Sequence, residues 1–435
     1  MKFKLLIILV ALCITPLFPQ GTGPISVLFS PSPTIRGLGN IGVGLPIEDP
    51  YAVYYNPANN FYRQEGIYFS QSEISSTVWL ANSKFTYDTW NFGVIPQKVP
   101  IKFGINYHKT FYKRGELNNP YLNLDDHYEK TDAINLSIAY YTKISNIPIN
   151  LSIGYTNRKV KVNTLSSLVR LTDTGELIYT KIVRKNNLYD IGLLFTLPYE
   201  LFRPKRFYSQ SIFKNFGLSI MPAFGYSIAN IGDDINIGSN KHPTYLSAPR
   251  ILRIGLSGTA IIKYKSVWNL LEWKWGRSAS DFLGKEKNDT DDNREYQKGF
   301  ADIDFFDNII KSNTNPLIEI QRGSEWTILD FYSIRRGHTI HEGEEDDDDN
   351  RWKRSTSDIK MSGYGFKSEG VFKLLYFLLN NEVFLDLSNY IDIQYNHYKI
   401  ESTRYWFSSL EQEIDAWTFT ISNLDKISKS LFNIL

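Results

Sequence analysis

The chain of 435 residues has almost no cysteine. Its only cysteine, Cys13, lies in an apolar N-terminal run that we expect to be removed after export. The preceding Leu12 is bulkier than a lipoprotein processing site tolerates, so we interpret Cys13 as part of the signal rather than as a lipidation site. The mature protein would then form no disulfide and no thiolate metal site.

Long apolar runs are also missing beyond that N-terminal run. No later stretch contains eighteen consecutive apolar residues, about the length that a helix needs to cross a bilayer. The strongest candidate, residues 371–379, is too short and is followed by Asn380, Asn381 and Glu382. A mature chain that enters a membrane must therefore do so as a closed β-barrel, because only a helix or a closed barrel satisfies its backbone hydrogen bonds in lipid.

An excess of charge of one sign is absent as well. The net charge is +2, and Lys2 and Lys4 lie in the segment that we expect to be removed. A mature chain close to neutrality lacks the basic stripe of a nucleic-acid-binding protein. We therefore predict no nucleic-acid partner.

Motifs of catalysis and cofactor binding are not found. Gly37, Gly39 and Gly42 fit the bare spacing of a dinucleotide-binding loop, but no hydrophobic strand precedes them. Pro46 and Pro50 oppose the helix that should follow. We predict that the protein is not an enzyme and has no catalytic residues and no cofactor.

The histidines do not suggest a metal site. There are six, and only His338 and His341 lie close together, three positions apart. Residues three apart on a strand face opposite sides of the sheet. We therefore predict no metal site.

Aromatic residues, in contrast, are abundant. The chain has 28 Tyr, 27 Phe and 9 Trp, which together make up 15% of the residues. Membrane barrels carry such rings at both lipid–water boundaries, although a secreted carbohydrate-binding β-protein could show the same excess. Trp268, Trp273 and Trp275 lie close together, and we interpret them as part of an interfacial girdle rather than as a binding surface.

Alternating residue types recur from about residue 66 to the end of the chain and predict strands. One face of these strands is large and apolar, and the other is small or polar. In one example, Ile134, Leu136, Ile138 and Tyr140 alternate with Asn135, Ser137 and Ala139. A small second face suits a lumen that is filled by a plug or encloses a narrow cavity.

The connections between these strands also favour a barrel. Short turns are predicted at residues 96–100 and before Pro148, and long polar loops at 113–130, 284–298 and 342–354. Outer-membrane barrels alternate short periplasmic turns with long outer loops. We count twelve to fourteen strand-length segments, and we interpret the acidic residues 344–349 as a flexible surface loop whose like charges repel one another.

The two ends of the chain differ from this pattern. Residues 1–22 combine a short basic start with an apolar run of secretory length and predict a cleaved signal peptide. Residues 23–62 are rich in glycine and turns, and such a segment is costly to order unless it packs inside something. We predict a plug at 23–62, a barrel at 63–422 and a tail at 423–435.

The plug segment contains an ordered set of residue types: a glycine-rich stretch, an acidic pair, and then alanine, aromatic residues and Asn-Pro-Ala. Its members are Gly37, Gly39, Gly42, Gly44, Glu48, Asp49, Ala52, Tyr54, Tyr55, Asn56, Pro57 and Ala58. This order and spacing resemble the N-terminal signature of the FadL-type outer-membrane transporters and of the related PorV/PorQ barrels of type IX secretion. Weaker similarity follows at residues 249–257, 325–337 and 363–366.

The resemblance implies an all-β fold, a transmembrane antiparallel barrel of about fourteen strands with an N-terminal plug, in the outer membrane of a Gram-negative bacterium. In the transporter branch it implies a hatch and the passage of hydrophobic molecules such as fatty acids, which predicts a dry, aromatic-lined pocket beneath the outer loops. In the secretion branch it implies a barrel that need not conduct and that binds exported proteins or secretion-system components. Both functions stay open, with outer-membrane lipid as a common partner.

Overall fold

The computed structural model describes most of the barrel and part of what precedes it. The residues described are 30–61, 66–74, 84–94, 101–113, 128–144, 147–165, 170–171, 177–178, 181–202, 215–232, 235–236, 245–246, 250–265, 267–285, 295–296, 302–315, 318–347, 351–404 and 413–422. The predicted signal peptide, the first part of the predicted plug and the predicted tail lie outside these residues.

Strands dominate the described chain. The main sheet has fourteen strands of nine or more residues: β1 Gly66–Ile74, β2 Lys84–Val94, β3 Ile101–Lys113, β4 Tyr128–Ile144, β5 Ile147–Leu165, β6 Lys181–Thr196, β7 Phe216–Gly232, β8 Ile251–Tyr264, β9 Trp268–Phe282, β10 Ile318–Ile328, β11 Tyr332–Asp347, β12 Arg351–Lys367, β13 Ile391–Arg404 and β14 Glu413–Ser422. A short strand, Tyr199–Phe202, follows β6 and also pairs with β7. Three isolated pairs of two-residue strands lie outside the main sheet.

The sheet closes on itself. Each strand pairs antiparallel with its neighbour in sequence, β7 pairs with β8, and β1 pairs with β14 from Gly66↔Ser422 to Ile74↔Ile414. The prediction of an all-β antiparallel barrel of about fourteen strands is therefore confirmed. Closure leaves none of these fourteen strands at an open edge of the sheet, which is the condition for a sheet in lipid.

The two faces of the wall differ as the alternation predicts. On β4 the outward side chains of Ile134, Leu136 and Ile138 are 51%, 50% and 52% exposed, whereas the inward Asn135 and Ser137 are buried. Trp273 and Trp275 also point outward on β9, and Trp273 stacks on Trp326 of β10 with ring centroids 5.4 Å apart. These tryptophans lie on the outer surface, as a girdle requires.

The barrel has two unlike ends. At the first, where β1 begins and β14 ends, only three residues separate β8 from β9 and β10 from β11. We call it the turn end, and the opposite end the loop end. Residues 368–390 also connect strands at the turn end, and they form α2 Ser368–Leu379 and α3 Glu382–Tyr390. We call this pair the helical hairpin.

Three predicted connections need correction. The predicted acidic loop at 342–354 is mostly strand, with Glu344 opposite Arg354 and Asp347 opposite Arg351 across β11 and β12. The described acidic residues 344–347 therefore belong to a paired strand and not to a loop. Pro148 lies inside β5 rather than at the end of a turn, and residues 128–130 belong to β4 rather than to a loop.

One described segment covers part of the outer wall. Residues 302–315, which include the π-helix Phe305–Lys311, pack Ile303 and Ile309 against Ile254, Ala279 and Ile320 of β8, β9 and β10. We call this segment the outer flap. Part of the apolar outer surface is thus buried by the chain itself.

Helices are few in the described residues. Besides α2 and α3, the chain forms α1 Pro33–Gly37 and the 3-10 helices Pro50–Tyr54 and Pro57–Phe61. Within the part of the chain that is described, no helix is long and apolar enough to span a membrane.

Candidate functional site

Residues 30–61 lie against the inner wall of the barrel, and we call them the inner segment. Side chains from strands around the ring donate hydrogen bonds to its backbone carbonyls. Ser72 donates to Pro31, Asn135 to Pro57 and Ser257 to Gly44, at 2.9, 3.2 and 2.8 Å. Strands as far apart as β1, β4 and β8 therefore hold one short segment.

Two polar motif residues fold this segment. The Asp49 carboxylate caps the helix Pro50–Tyr54 by accepting a hydrogen bond from the Tyr51 N–H at 2.8 Å, and it also accepts one from the Ser32 hydroxyl at 2.5 Å. The Asn56 amide donates to the carbonyls of Val43 and Leu193 at 2.7 and 2.9 Å. Asn56 thus joins the two halves of the segment to each other and to β6.

Glycines allow the close approach of segment and wall. On eight consecutive strands, β5 to β12, an inward glycine faces the inner segment so closely that a side chain would contact it: Gly154, Gly192, Gly225, Gly255, Gly276, Gly323, Gly337 and Gly363. At Gly154 and Gly225 the obstacle would be the backbone of Pro57 and of Val43. Backbone cannot move aside as a flexible side chain can, so these positions require glycine.

The motif glycines complete the fit from the other side. Gly39 has φ +67°, a left-handed conformation that favours glycine, and a side chain there would lie 2.5 Å from the His338 backbone nitrogen. At Gly44 it would lie 2.5 Å from the Gly255 carbonyl oxygen, and at Gly37 3.3 Å from the Gly363 Cα. Gly42 instead faces its own segment, at Ile35 and Tyr55.

The remaining motif residues have separate roles. The Glu48 carboxylate forms an ion pair with Lys367 at 3.3 Å, near the turn end. Ala52 and Ala58 are fully buried, and the Ala52 carbonyl accepts hydrogen bonds from the N–H groups of Tyr55 and Asn56. The motif residues are therefore brought together as a folding and docking unit rather than as a reactive cluster.

Tyr55 belongs to the motif and also borders a cavity of about 220 Å³. The cavity is lined by residues of the inner segment and of β8, β9 and β10: Ser30, Arg36, Asn40, Tyr54, Tyr55, Ile251, Arg253, Ser280, Glu319 and Gln321. Charged side chains, those of Arg36, Arg253 and Glu319, lie beside the tyrosine rings and Ile251 in this lining. The cavity thus offers both charged and apolar surface, whereas the pocket predicted for a purely hydrophobic molecule is dry and aromatic.

Arg253 is the most informative residue of this cavity. Its guanidinium lies over the Tyr55 ring, 5.5 Å from the centroid. Its Nη1 is shielded from solvent and makes no hydrogen bond with the described residues. A buried N–H without an acceptor is costly, so this atom is suited to an acceptor supplied by a ligand.

The Tyr55 hydroxyl is itself satisfied. It donates to the Asn40 carbonyl oxygen at 2.5 Å, and burial raises the pKa of the phenol. Tyr55 therefore stays neutral and presents a ring face to Arg253.

Two groups of buried charges elsewhere in the lumen are paired. Lys274 lies 2.8 Å from Glu325, which also contacts Arg335, so these three residues link β9, β10 and β11. Arg158 pairs with Asp190 and lies over the Tyr54 ring. Such pairs are structural, because removing either partner would leave an uncompensated buried charge.

The sequence did not single out the cavity residues. Arg253 stands in the polar half of an alternating strand, where the other residues are Gly255 and Ser257, and a charge among such small residues was a usable signal. No such sequence signal marked Arg36, Asn40 or Glu319, because only the path of the inner segment brings these residues together.

The described residues also bear on the metal prediction. His338 and His341 both lie on β11, and His338 accepts a hydrogen bond from Arg322 and contacts Asp358. Among the residues that the structure describes, no group of three or more His, Cys, Asp or Glu side chains could hold a metal ion.

The chain aligns over most of its length with several solved structures. The toluene transporter TbuX of Ralstonia pickettii is 11% identical, with 90% of this chain and 98% of that chain covered and a TM-score of 0.40. A FadL homologue of Pseudomonas aeruginosa is 9% identical, with 93% and 99% covered and a TM-score of 0.37. The toluene transporter TodX of Pseudomonas putida is 9% identical, with 94% and 98% covered and a TM-score of 0.38.

No family model and no curated protein matches the sequence. Identities and scores as low as those above carry no argument about family or function.

Proposed function

We propose that this protein is an outer-membrane β-barrel that binds small amphipathic molecules in its lumen and passes them across the membrane. The closed wall and its exposed apolar outer face support a place in lipid, because a soluble protein would leave that large apolar surface in water. The basic start and apolar run of residues 1–22 support export by a cleaved signal peptide. The inner segment would act as the hatch.

The observation that carries the ligand class is the buried guanidinium of Arg253, which lines the cavity and whose Nη1 has no hydrogen-bond partner among the described residues. An anionic head group such as a carboxylate would accept this hydrogen bond and offset the buried positive charge. Ile251 and the ring of Tyr55 would contact the apolar body of the same molecule. A fatty acid has both parts, whereas an uncharged hydrocarbon would leave the Arg253 Nη1 without an acceptor.

Binding can be measured on the protein in lipid nanodiscs, with dodecanoate and uncharged dodecanol as probes and empty nanodiscs as the background. A charge-assisted hydrogen bond contributes about 1.5–3 kcal/mol. We therefore expect Arg253→Gln to weaken dodecanoate binding by roughly ten- to a hundredfold and to leave dodecanol binding unchanged. Arg336→Gln, which removes an outward arginine of β11, is the matched control.

Uptake is the second part of the test. Bacterial cells that produce the protein should take up labelled dodecanoate faster than cells without it, and Arg253→Gln should remove most of the difference. Equal uptake by all strains, together with equal binding by wild type and Arg253→Gln, would contradict the proposal.

One observation favours a second candidate, a non-conducting barrel that handles exported proteins. The glycine contacts on β5 to β12 hold the inner segment against the wall, and a segment held so tightly is slow to move. Co-purification of exported proteins with a barrel that shows no Arg253-dependent binding of dodecanoate would support this candidate and exclude the first.

A further inference from the structure

The helical hairpin at the turn end has two unlike faces. Its first helix, α2, lies against the turn 329–331. Gly370 is buried there, and a side chain at this position would lie 2.5 Å from the Leu329 carbonyl oxygen. Helix and turn therefore meet at backbone distance, and this face of α2 is fixed.

Charged groups hold the same face. The buried Lys373 ammonium lies 2.7 Å from the Asp330 carboxylate and 2.5 Å from the Glu369 carboxylate. Asp330 also accepts hydrogen bonds from the backbone N–H and the side-chain amide of Asn269, at 3.1 and 2.8 Å. The only charged side chain in the middle of α2 is thus turned toward the barrel.

The opposite face of α2 is apolar and exposed. Val371, Leu374, Phe377 and Leu378 are 39%, 40%, 52% and 67% exposed, and we call them the apolar stripe. Their spacing of three and four residues places them along one side of a helix. A helix with one charged, docked face and one apolar, open face has the form of helices that lie in a membrane interface.

The apolar stripe continues the outer face of the wall. The Phe377 ring lies 6.3 Å from Tyr264 of β8 and 6.0 Å from Trp268 of β9, measured between ring centroids. Both rings stand at the turn end beside Val267 and Phe331, each 39% exposed. The stripe therefore extends the lipid-facing surface rather than the lumen.

We propose that α2 lies in the periplasmic head-group region of the membrane, with the apolar stripe among the acyl chains of phospholipids. This inference rests on the proposed place of the barrel in the outer membrane. Lipid is favoured over a protein partner because the stripe is continuous with the apolar outer face of the wall. The exposed acidic residues of the hairpin, Glu382 and Asp386, lie on α3 instead.

The test uses a fluorescent bimane label at single cysteines in the full chain carrying Cys13→Ala, reconstituted in phosphatidylcholine vesicles. The sites are Leu378→Cys on the stripe, Asp386→Cys on α3 and Ile138→Cys on the apolar outer face of β4. We expect acyl-chain nitroxide lipids to quench the labels at 378 and 138 at least twofold more than the label at 386. A water-soluble nickel complex should quench them in the reverse order.

The label at 138 separates the two proposals. Absence of lipid quenching at 138 would mean that the barrel is not in the membrane, and the proposed function would fail with it. Lipid quenching at 138 but not at 378 would overturn only the inference about α2. If the label at 378 is shielded from both quenchers, a protein or a second copy covers the stripe, and the inference is equally overturned.

A second variant tests the same inference without a label on α2. Leu378→Glu places a charge on the stripe, and Asp386→Lys, a charge change on α3, is the control. With bimane at residue 267 through Val267→Cys, Leu378→Glu should reduce lipid quenching and increase nickel quenching. An unchanged ratio would contradict insertion of the stripe.

Discussion

The inner segment and the helical hairpin are both non-strand segments docked on the same barrel, but they are held in different ways. The inner segment meets the wall through glycines and through side chains that satisfy its backbone, so its position depends on shape and hydrogen bonds. The hairpin is held on one face by Lys373 and its two carboxylate partners, and its other face is open. A segment buried on all sides must fit its surroundings, whereas a segment at a boundary needs only one fixed face.

The largest effect should follow from filling a glycine position of the wall. Gly154→Val would push a branched side chain into the backbone of Pro57, at a cost above the about 1–3 kcal/mol of ordinary overpacking. We expect displacement of the inner segment, measured as rapid tryptic cleavage after Arg36.

Ser152→Ala is the control for this change. Ser152 is on the same strand and the same inward face, and its hydroxyl has no hydrogen-bond partner among the described residues. Its variant should resist trypsin as the wild type does. Full protection of Gly154→Val would show that the wall tolerates side chains and that shape does not hold the segment.

Breaking the ion cluster should release the hairpin and leave the barrel intact. Lys373→Met removes the cation that the buried Asp330 carboxylate shares with the partly buried Glu369 carboxylate, and breaking a buried pair costs about 3–5 kcal/mol. We expect faster hydrogen exchange in α2 and an unchanged heat-modifiable band on a gel. Lys399→Met, on the exposed side of β13, is the control. Loss of the heat-modifiable band would mean that the hairpin supports the whole barrel.

Removal of one motif amide should have a smaller effect on the inner segment. Asn56→Ala leaves the carbonyls of Val43 and Leu193 without this donor, and an unpaired buried group costs about 1–3 kcal/mol. Hydrogen exchange at the Ala58 amide, which donates to Asn56, should accelerate. The exposed Asn187→Ala on β6 should leave that exchange unchanged. Similar exchange rates in both variants would show that the Asn56 amide does not hold the inner segment against the wall.

The last effect concerns pH. Burial raises the pKa of Glu369 to about 7, with Lys373 opposing the shift and Asp330 adding to it. The docked state then holds a proton that the free carboxylate loses near 4.5, so docking weakens as pH rises from about 4.5 to 7 and changes little above. A nitroxide at Leu378→Cys should become more mobile over this range, and Glu369→Gln should remove the dependence. A nitroxide that becomes less mobile as pH rises would contradict the predicted weakening of docking.

The sequence predicted the wall better than its contents. Alternation at residues 134–140 correctly assigned outward and inward side chains, because a period of two places neighbours on opposite faces whatever the rest of the chain does. The acidic residues 344–347 were wrongly assigned to a loop, because their strand partners at 351–354 become known only when β12 is paired with β11.

The motif and the cavity show the same division. The sequence located the glycines and Asn56 but not their partners, such as Gly154 and Leu193, which lie about a hundred residues or more away. By itself the sequence determined the strands, the two faces of the wall and the segment that could not be a strand, because these depend on local period and backbone freedom. Only the tertiary structure decided that Arg253 meets Tyr55 at a cavity and that α2 turns its apolar stripe outward, because burial and pairing depend on which distant residues closure of the barrel brings together.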